Sequence, residues 1–254
     1  MKTQLYPTLL AAAMLLSGLA SCRQEQPFSI HGRIEVPDSL HEHLAALDGM
    51  PIYLIDMHGE RIDSTELLGG AFTLTGTVGE PRFAYIGGGY EVMNMFVLEP
   101  GDLTIVYGDG EPTLVGTSIN EGISAFEAEL SAIRREAMER VETLMQAEGM
   151  DDSVMRDSLM GIYIDFTAHQ MHVMDSVALA HPNDLVGVYA ANSLTAEAMS
   201  PEMLEEALAK YSDFIRGHEL MEIRLEYLHD LNSGSDELDP AYYNLEDLGL
   251  SEGE

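Results

Sequence analysis

Between Phe28 and Val115 apolar residues recur at every second position in short runs; after Glu121 they recur at every third or fourth. The first spacing is that of a half-buried strand and the second that of a helix with one buried face. Phe28–Val36, Pro51–Ile55, Arg61–Leu68, Ala71–Val78, Arg82–Ile86, Met93–Leu98, Leu103–Val106 and Thr113–Val115 read as strands. Gly59 and Gly69-Gly70 punctuate them. Gly87-Gly88-Gly89 and Gly108-Asp109-Gly110 read as a loop and a turn. Glu121–Glu148 places Ile123, Phe126, Leu130, Ile133, Ala137, Val141 and Leu144 on one helical face. Asp151 to Ala180 follows, with Leu159, Ile162, Phe166, Val173 and Val177 on one face. His181-Pro182-Asn183-Asp184 stops that helix and starts a third, which runs to Leu194. Ser200-Pro201 opens a fourth, with serine as cap and proline in the first turn. A break near Arg216-Gly217 leads to a last helix ending at Leu231. The predicted class is α+β, an N-terminal antiparallel β-sandwich or open barrel (residues 28–117) followed by a C-terminal helical domain (residues 118–231).

The first 21 residues break this pattern. Lys2, an apolar run from Leu9 to Leu16 and small residues before Cys22 form the three regions of a secretory leader. The run is too short to span a bilayer as a helix, which takes ~20 apolar residues. Leu19-Ala20-Ser21-Cys22 looks like a bacterial lipobox, and Cys22 is the only cysteine of the 254 residues. The expectation is lipidation of Cys22 after cleavage, with residues 22–27 as a polar tether; two or three acyl chains anchor stably where one is marginal. Arg23 follows Cys22 in place of the aspartate associated with inner-membrane retention. The expected address is therefore the outer membrane, on its periplasmic face or at the cell surface.

Charge narrows the partners. With 12 basic against 44 acidic residues the formal net charge is −32, and Lys210 is the one lysine beyond the leader. Such a surface repels nucleic acid and anionic headgroups. A single cysteine leaves no disulfide to staple the fold and no dithiol pair for redox chemistry. From Asn232 the chain carries seven acids and no base, an acidic tail that reads as flexible.

Candidate chemistry is sparse. On the second long helix Asp165, His169, His172 and Ser176 share about a quarter of the circumference, at the edge of the apolar face. Imidazoles and a carboxylate one turn apart suit zinc, and His with Met suits copper(I). The competing reading is a polar flank beside a core stripe. His41-Glu42-His43-Leu44-Ala45 and His218-Glu219-Leu220-Met221-Glu222 each lack the second histidine of a zincin. The sequence holds no nucleophile elbow and no calcium loop, and the triple glycine precedes a strand rather than a helix, so it makes no phosphate cradle. No cofactor is expected.

Three stretches carry a resemblance: Phe72-Thr73-Leu74-Thr75-Gly76, Phe96–Ile105 with Glu99-Pro100-Gly101-Asp102 at its centre, and Val115-Gly116-Thr117-Ser118-Ile119-Asn120. They resemble the domain of unknown function that precedes thioredoxin-like (AhpC/TSA-type) domains in Gram-negative envelope lipoproteins. His181-Pro182-Asn183-Asp184 and the helices after it resemble the connector into the thioredoxin fold, so the resemblance spans roughly residues 28–231. It implies an envelope location and a thioredoxin-like neighbour. Where that family continues into a Cys-x-x-Cys domain this chain has its acidic tail, so no redox residues carry over and a stand-alone accessory form is implied.

The expected function is a lipid-anchored, non-enzymatic binding or interaction module that meets an envelope protein. One alternative is an accessory of thiol-disulfide redox or peroxide-handling machinery, acting with a separate thioredoxin-fold protein. The other is metal or small-ligand capture.

Overall fold

The computed structural model describes residues 25–37, 44–88, 91–108, 112–147, 151–197 and 200–233. The fold is α+β; among the described residues eight strands form two sheets and are followed by helices. The strands are β1 (Gln26–Ile34), β2 (Pro51–Asp56), β3 (Arg61–Glu66), β4 (Ala71–Val78), β5 (Arg82–Gly88), β6 (Glu91–Leu98), β7 (Gly101–Tyr107) and β8 (Thr113–Val115). One sheet has the order β4-β1-β7-β8 and the other β3-β2-β5-β6.

Every pairing is antiparallel except β1 with β7, which is parallel. Alternation cannot reveal this exception, because strand direction depends on which distant segment arrives alongside. β1 also begins at Gln26, so Gln26 and Pro27 of the expected tether already pair with Val78 and Thr77. Gly87 and Gly88, expected in a loop, lie in β5, where Ile52 pairs with Gly88 and Tyr53 with Gly87. Gly89, Asp109, Gly110 and the His41–His43 stretch fall outside the described residues.

The two sheets differ in kind. β1 and β4 bury alternate residues (Phe28, Ile30, Phe72, Leu74) and leave the others exposed or half-buried. Gly32 and Gly76 make room for the Phe72 and Phe28 rings, which stand where a Cβ would be. β5 instead buries neighbours on both faces, Phe83 and Ala84 among them. Its register with β2 and β6 puts Leu54, Ile86 and Phe96 on one face and Phe83 with Val97 on the other. The first face packs against the β1 sheet, where Tyr107 Oη donates to Asn94 Oδ1. The second meets the helices. Strands covered on both sides lose their alternation, which is why Phe83–Ile86 and Met95–Leu98 run apolar without a break instead of alternating.

The helices are α1 (Ser118–Met145), α2 (Asp152–Ala180), α3 (Leu185–Leu194), α4 (Pro201–Leu208), α5 (Asp213–Arg216) and α6 (Glu219–Ser233). α3 is buried nearly all round, with Val186, Gly187, Val188, Ala190 and Ala191 inside. Asp184 caps it by accepting from the Val186 and Gly187 N–H groups, while its other oxygen meets His181 Nδ1 at 2.9 Å. Tyr189 links the layers, 6.4 Å from the Phe83 ring and 6.0 Å from the Phe126 ring of α1. The single helix expected from Ser200 to Arg216 is split, because Ser212 caps a new turn through the Ile215 N–H and also bonds the Pro182 carbonyl.

Candidate functional site

The polar groups that converge most closely lie where α1 meets the open side of both sheets. β6 is the edge of one sheet and β8 of the other, so each has backbone groups without a strand partner. Asn120, fully buried, supplies that partner to β6. Val97 N–H donates to Asn120 Oδ1 at 2.9 Å, and Asn120 Nδ2 donates to the Val97 carbonyl at 2.7 Å. One turn later Ser124 does the same for β8, its hydroxyl accepting from Leu114 N–H at 2.8 Å and donating to the Leu114 carbonyl at 3.0 Å. Two side chains at i and i+4 thus stand in for an absent strand on each sheet.

Glu99 completes the joint. The α1 cap position, Thr117, makes no side-chain cap bond. Glu99 Oε1 takes over, accepting from the Ile119 N–H at 3.0 Å and the Asn120 N–H at 3.3 Å, so a carboxylate sits on the helix N-terminus. Asn120 Nδ2 also donates to Thr117 Oγ1 at 2.9 Å. Gly116 closes the turn with φ of 109°, and a Cβ there would lie 2.2 Å from the Asp102 carbonyl oxygen. A cavity of about 160 Å³ beside the joint is lined by Asn94, Met95, Leu114, Ile123, Ser124 and Tyr189.

Glu99, Gly116, Thr117 and Asn120 all belong to the stretches that carry the resemblance. Residues 28–122 match the family model of a domain of unknown function (DUF4369). The matched domain ends just past Asn120, inside α1, so it includes the residue that closes the β6 edge. The helices beyond residue 122, expected to share the resemblance, lie outside the match. No curated protein and no solved structure matches the chain.

The histidine face of α2 takes a different form. Asp165 Oδ2 accepts from Arg140 of α1 at 2.9 Å, and Asp165, His169 and His172 are all exposed. Among the described residues no group of three or more His, Cys, Asp or Glu side chains is placed to hold a metal ion. Nearby Asp175 meets Lys210 at 2.6 Å and accepts from Tyr211 Oη at 2.7 Å. Desolvation pushes its carboxyl up, but the bonds from Lys210 and Tyr211 with the charges of Lys210 and His172 outweigh this and hold it below its usual range. Burial, and then the Asp175 contact, push the Tyr211 hydroxyl far up, so it remains a donor.

His218 serves as a cap rather than a ligand. Its Nδ1 accepts from the Leu220 N–H at 3.1 Å at the start of α6, and its ring stands edge-on to Phe83 at 5.4 Å. Cys22 lies outside the described residues.

Sequence reading missed a second apolar face on α2. Met160, Tyr163, Ile164 and Met171 are each more than half exposed. Met174, half-buried, and Ala178, fully buried, continue the same face toward the C-terminal end of the helix. The spacing i, i+4, i+11, i+14, i+18 was legible; it was hidden beside the stronger stripe through Ile162, Phe166 and Val173.

Proposed function

We propose that this chain is a non-enzymatic interaction module, held at the cell envelope by lipid on Cys22, that meets a protein partner through the exposed face of α2. The carrying observation is the patch Met160, Tyr163, Ile164 and Met171. Single apolar residues on a surface are ordinary, but four exposed large ones along one helix face mark a contact surface. An amphipathic helix offers such a face at i, i+4 spacing, and the methionines suit it to an irregular partner. The polar groups that converge most closely, at Asn120 and at Asp184, are spent on internal hydrogen bonds.

The anchor reading rests on Leu19-Ala20-Ser21-Cys22 and the leader before it, and the outer-membrane reading on Arg23. Among the described residues no helix is long and apolar enough to cross a membrane. Crosslinking in intact cells with mass spectrometry tests the proposal, using the unaltered chain, Cys22→Ala and Ile164→Lys. Cys22→Ala should move to the soluble fraction. Ile164→Lys should stay anchored and keep its melting temperature, a surface change costing within about 0.5 kcal/mol, yet lose the crosslinked partner. A partner with Cys-x-x-Cys would make this chain an accessory of thiol-redox machinery. Crosslinks that survive Ile164→Lys unchanged would remove α2 as the contact surface.

A further inference from the structure

Four strands form the edges of the two sheets, and three of them are protected. β3 carries Arg61, Asp63 and Glu66, and its partner β2 shifts register at Leu54/Ile55. β6 is covered by Asn120; β8 is three residues long and covered by Ser124. Among the described residues β4 has none of these devices, and β3 touches it only through the turn that bonds Leu68 to Ala71 and the residues beside it. Ala71-Phe72-Thr73-Leu74-Thr75-Gly76-Thr77-Val78 holds no charge and no proline, and it pairs with β1 through eight residues in unbroken register. Long, regular, uncharged edges template further pairing, which is why folded proteins normally disrupt them.

The hydrogen-bond phase shows what β4 offers. Ile34 N–H donates to the Gly70 carbonyl, so the even-numbered residues of β4 bond to β1 and the odd-numbered ones point away. Ala71 spends its outward groups on Leu68. Thr73, Thr75 and Thr77 remain, and among the described residues their outward N–H and C=O groups have no partner.

We propose that β4 pairs with β4 of a second copy of this chain, antiparallel about a two-fold axis at Thr75. In that register Thr75 faces Thr75 and Thr73 faces Thr77 of the other copy. Every outward group of the three threonines is then satisfied, and the threonine side chains pair across the strands. No other symmetric register pairs all three threonines with residues of β4 alone while leaving Leu68 bonded to Ala71. Charge agrees locally: Glu25 bonds Thr77 at 2.6 Å and His31 bonds Thr73 at 3.3 Å, so the pairing brings an acid opposite an imidazole rather than another acid. The result is one continuous sheet of eight strands.

Edge pairing covers well under the ~1,200 Å² of a standard stable interface, so the dimer is weak in solution. The −32 charge of each copy opposes it at long range, and salt screens that repulsion. Association therefore strengthens with ionic strength, the reverse of an ion-paired interface.

Sedimentation of the purified Cys22→Ala chain at about 0.2 mM, in low salt and in about 0.5 M salt, reads the association. Mass should rise toward that of a dimer with salt. Thr75→Pro removes an outward donor without touching the β1 ladder; it should stay monomeric with unchanged circular dichroism. Thr75→Cys in the same background should form a disulfide dimer under mild oxidation much faster than Thr113→Cys on the covered β8 edge. Hydrogen-bonded antiparallel pairs bring Cα atoms to about 5.5 Å, within disulfide reach. A monomer under all conditions, with both cysteine variants equally slow, overturns the proposal. So does a dimer that survives Thr75→Pro while Thr75→Cys fails to crosslink. An unfolded Thr75→Pro leaves the decision to the cysteine pair.

Discussion

Replacing Asn120 with alanine is the severest test of the joint between the sheets and α1. The side chain makes two bonds to Val97, and both residues are fully buried. Truncation leaves the Val97 N–H and C=O without partners at a position water does not reach. Each such group costs about 1–3 kcal/mol when stranded. The bonds to Thr117 and Glu99 contribute less, since Glu99 keeps the Ile119 N–H. The expected loss is about 3–5 kcal/mol, a large part of the ~5–15 kcal/mol that holds a typical domain together. Asn120→Asp keeps the shape but turns an acceptor toward the Val97 carbonyl and a charge toward Glu99. A carboxyl so placed has its folded pKa raised above the unfolded value. Its neutral form is the compatible one, so relative to the unaltered chain the defect is smallest below pH ~4 and grows as pH rises through the folded pKa. Urea denaturation at several pH values measures both variants, and amide exchange at Val97 localises the effect. An Asn120→Ala midpoint equivalent to less than about 0.5 kcal/mol would show that Asn120 does not hold this edge.

Two further predictions follow from other positions. Gly116→Ala forces a side chain onto a backbone with φ of 109° and sets a Cβ 2.2 Å from the Asp102 oxygen; it should cost at least about 2 kcal/mol in the same assay. Burial lowers the pKa of His218, against the opposing charges of Glu219 and Glu222. Neutral His218 therefore favours the folded state: its contribution is full above the unfolded value of ~6.5 and is lost as pH falls from there through the folded pKa. His218→Asn, which can still cap α6, should flatten the fall in stability between pH ~7 and ~5. An unchanged slope in that variant would assign the acid sensitivity to other groups.

Local rules account for what was readable in the chain. Alternation at Phe28, Ile30, Phe72 and Leu74 marked the half-buried strands, and spacing through Ile123, Phe126 and Leu130 marked α1, because each pattern needs only one buried face. Ser200 and Asp184 announced their helices because a cap bonds within its own turn. The break at Ser212 was missed because that serine also answers to Pro182, thirty positions away.

The sequence by itself determined the α+β class, the positions of nearly all strands and helices, the marks of a domain of unknown function and the charge of −32. Each of these is a sum over neighbours along the chain. Only the tertiary structure decided that β7 lies parallel to β1, that Glu99 caps α1 and that Asn120 and Ser124 close two sheet edges. It also decided which apolar residues of α2 are exposed and which edge strand, among the described residues, has outward groups without a partner. These outcomes depend on which distant segment arrives at a surface. Asparagine on a helix reads the same whether it faces water or an unpaired strand; contact alone distinguishes the two.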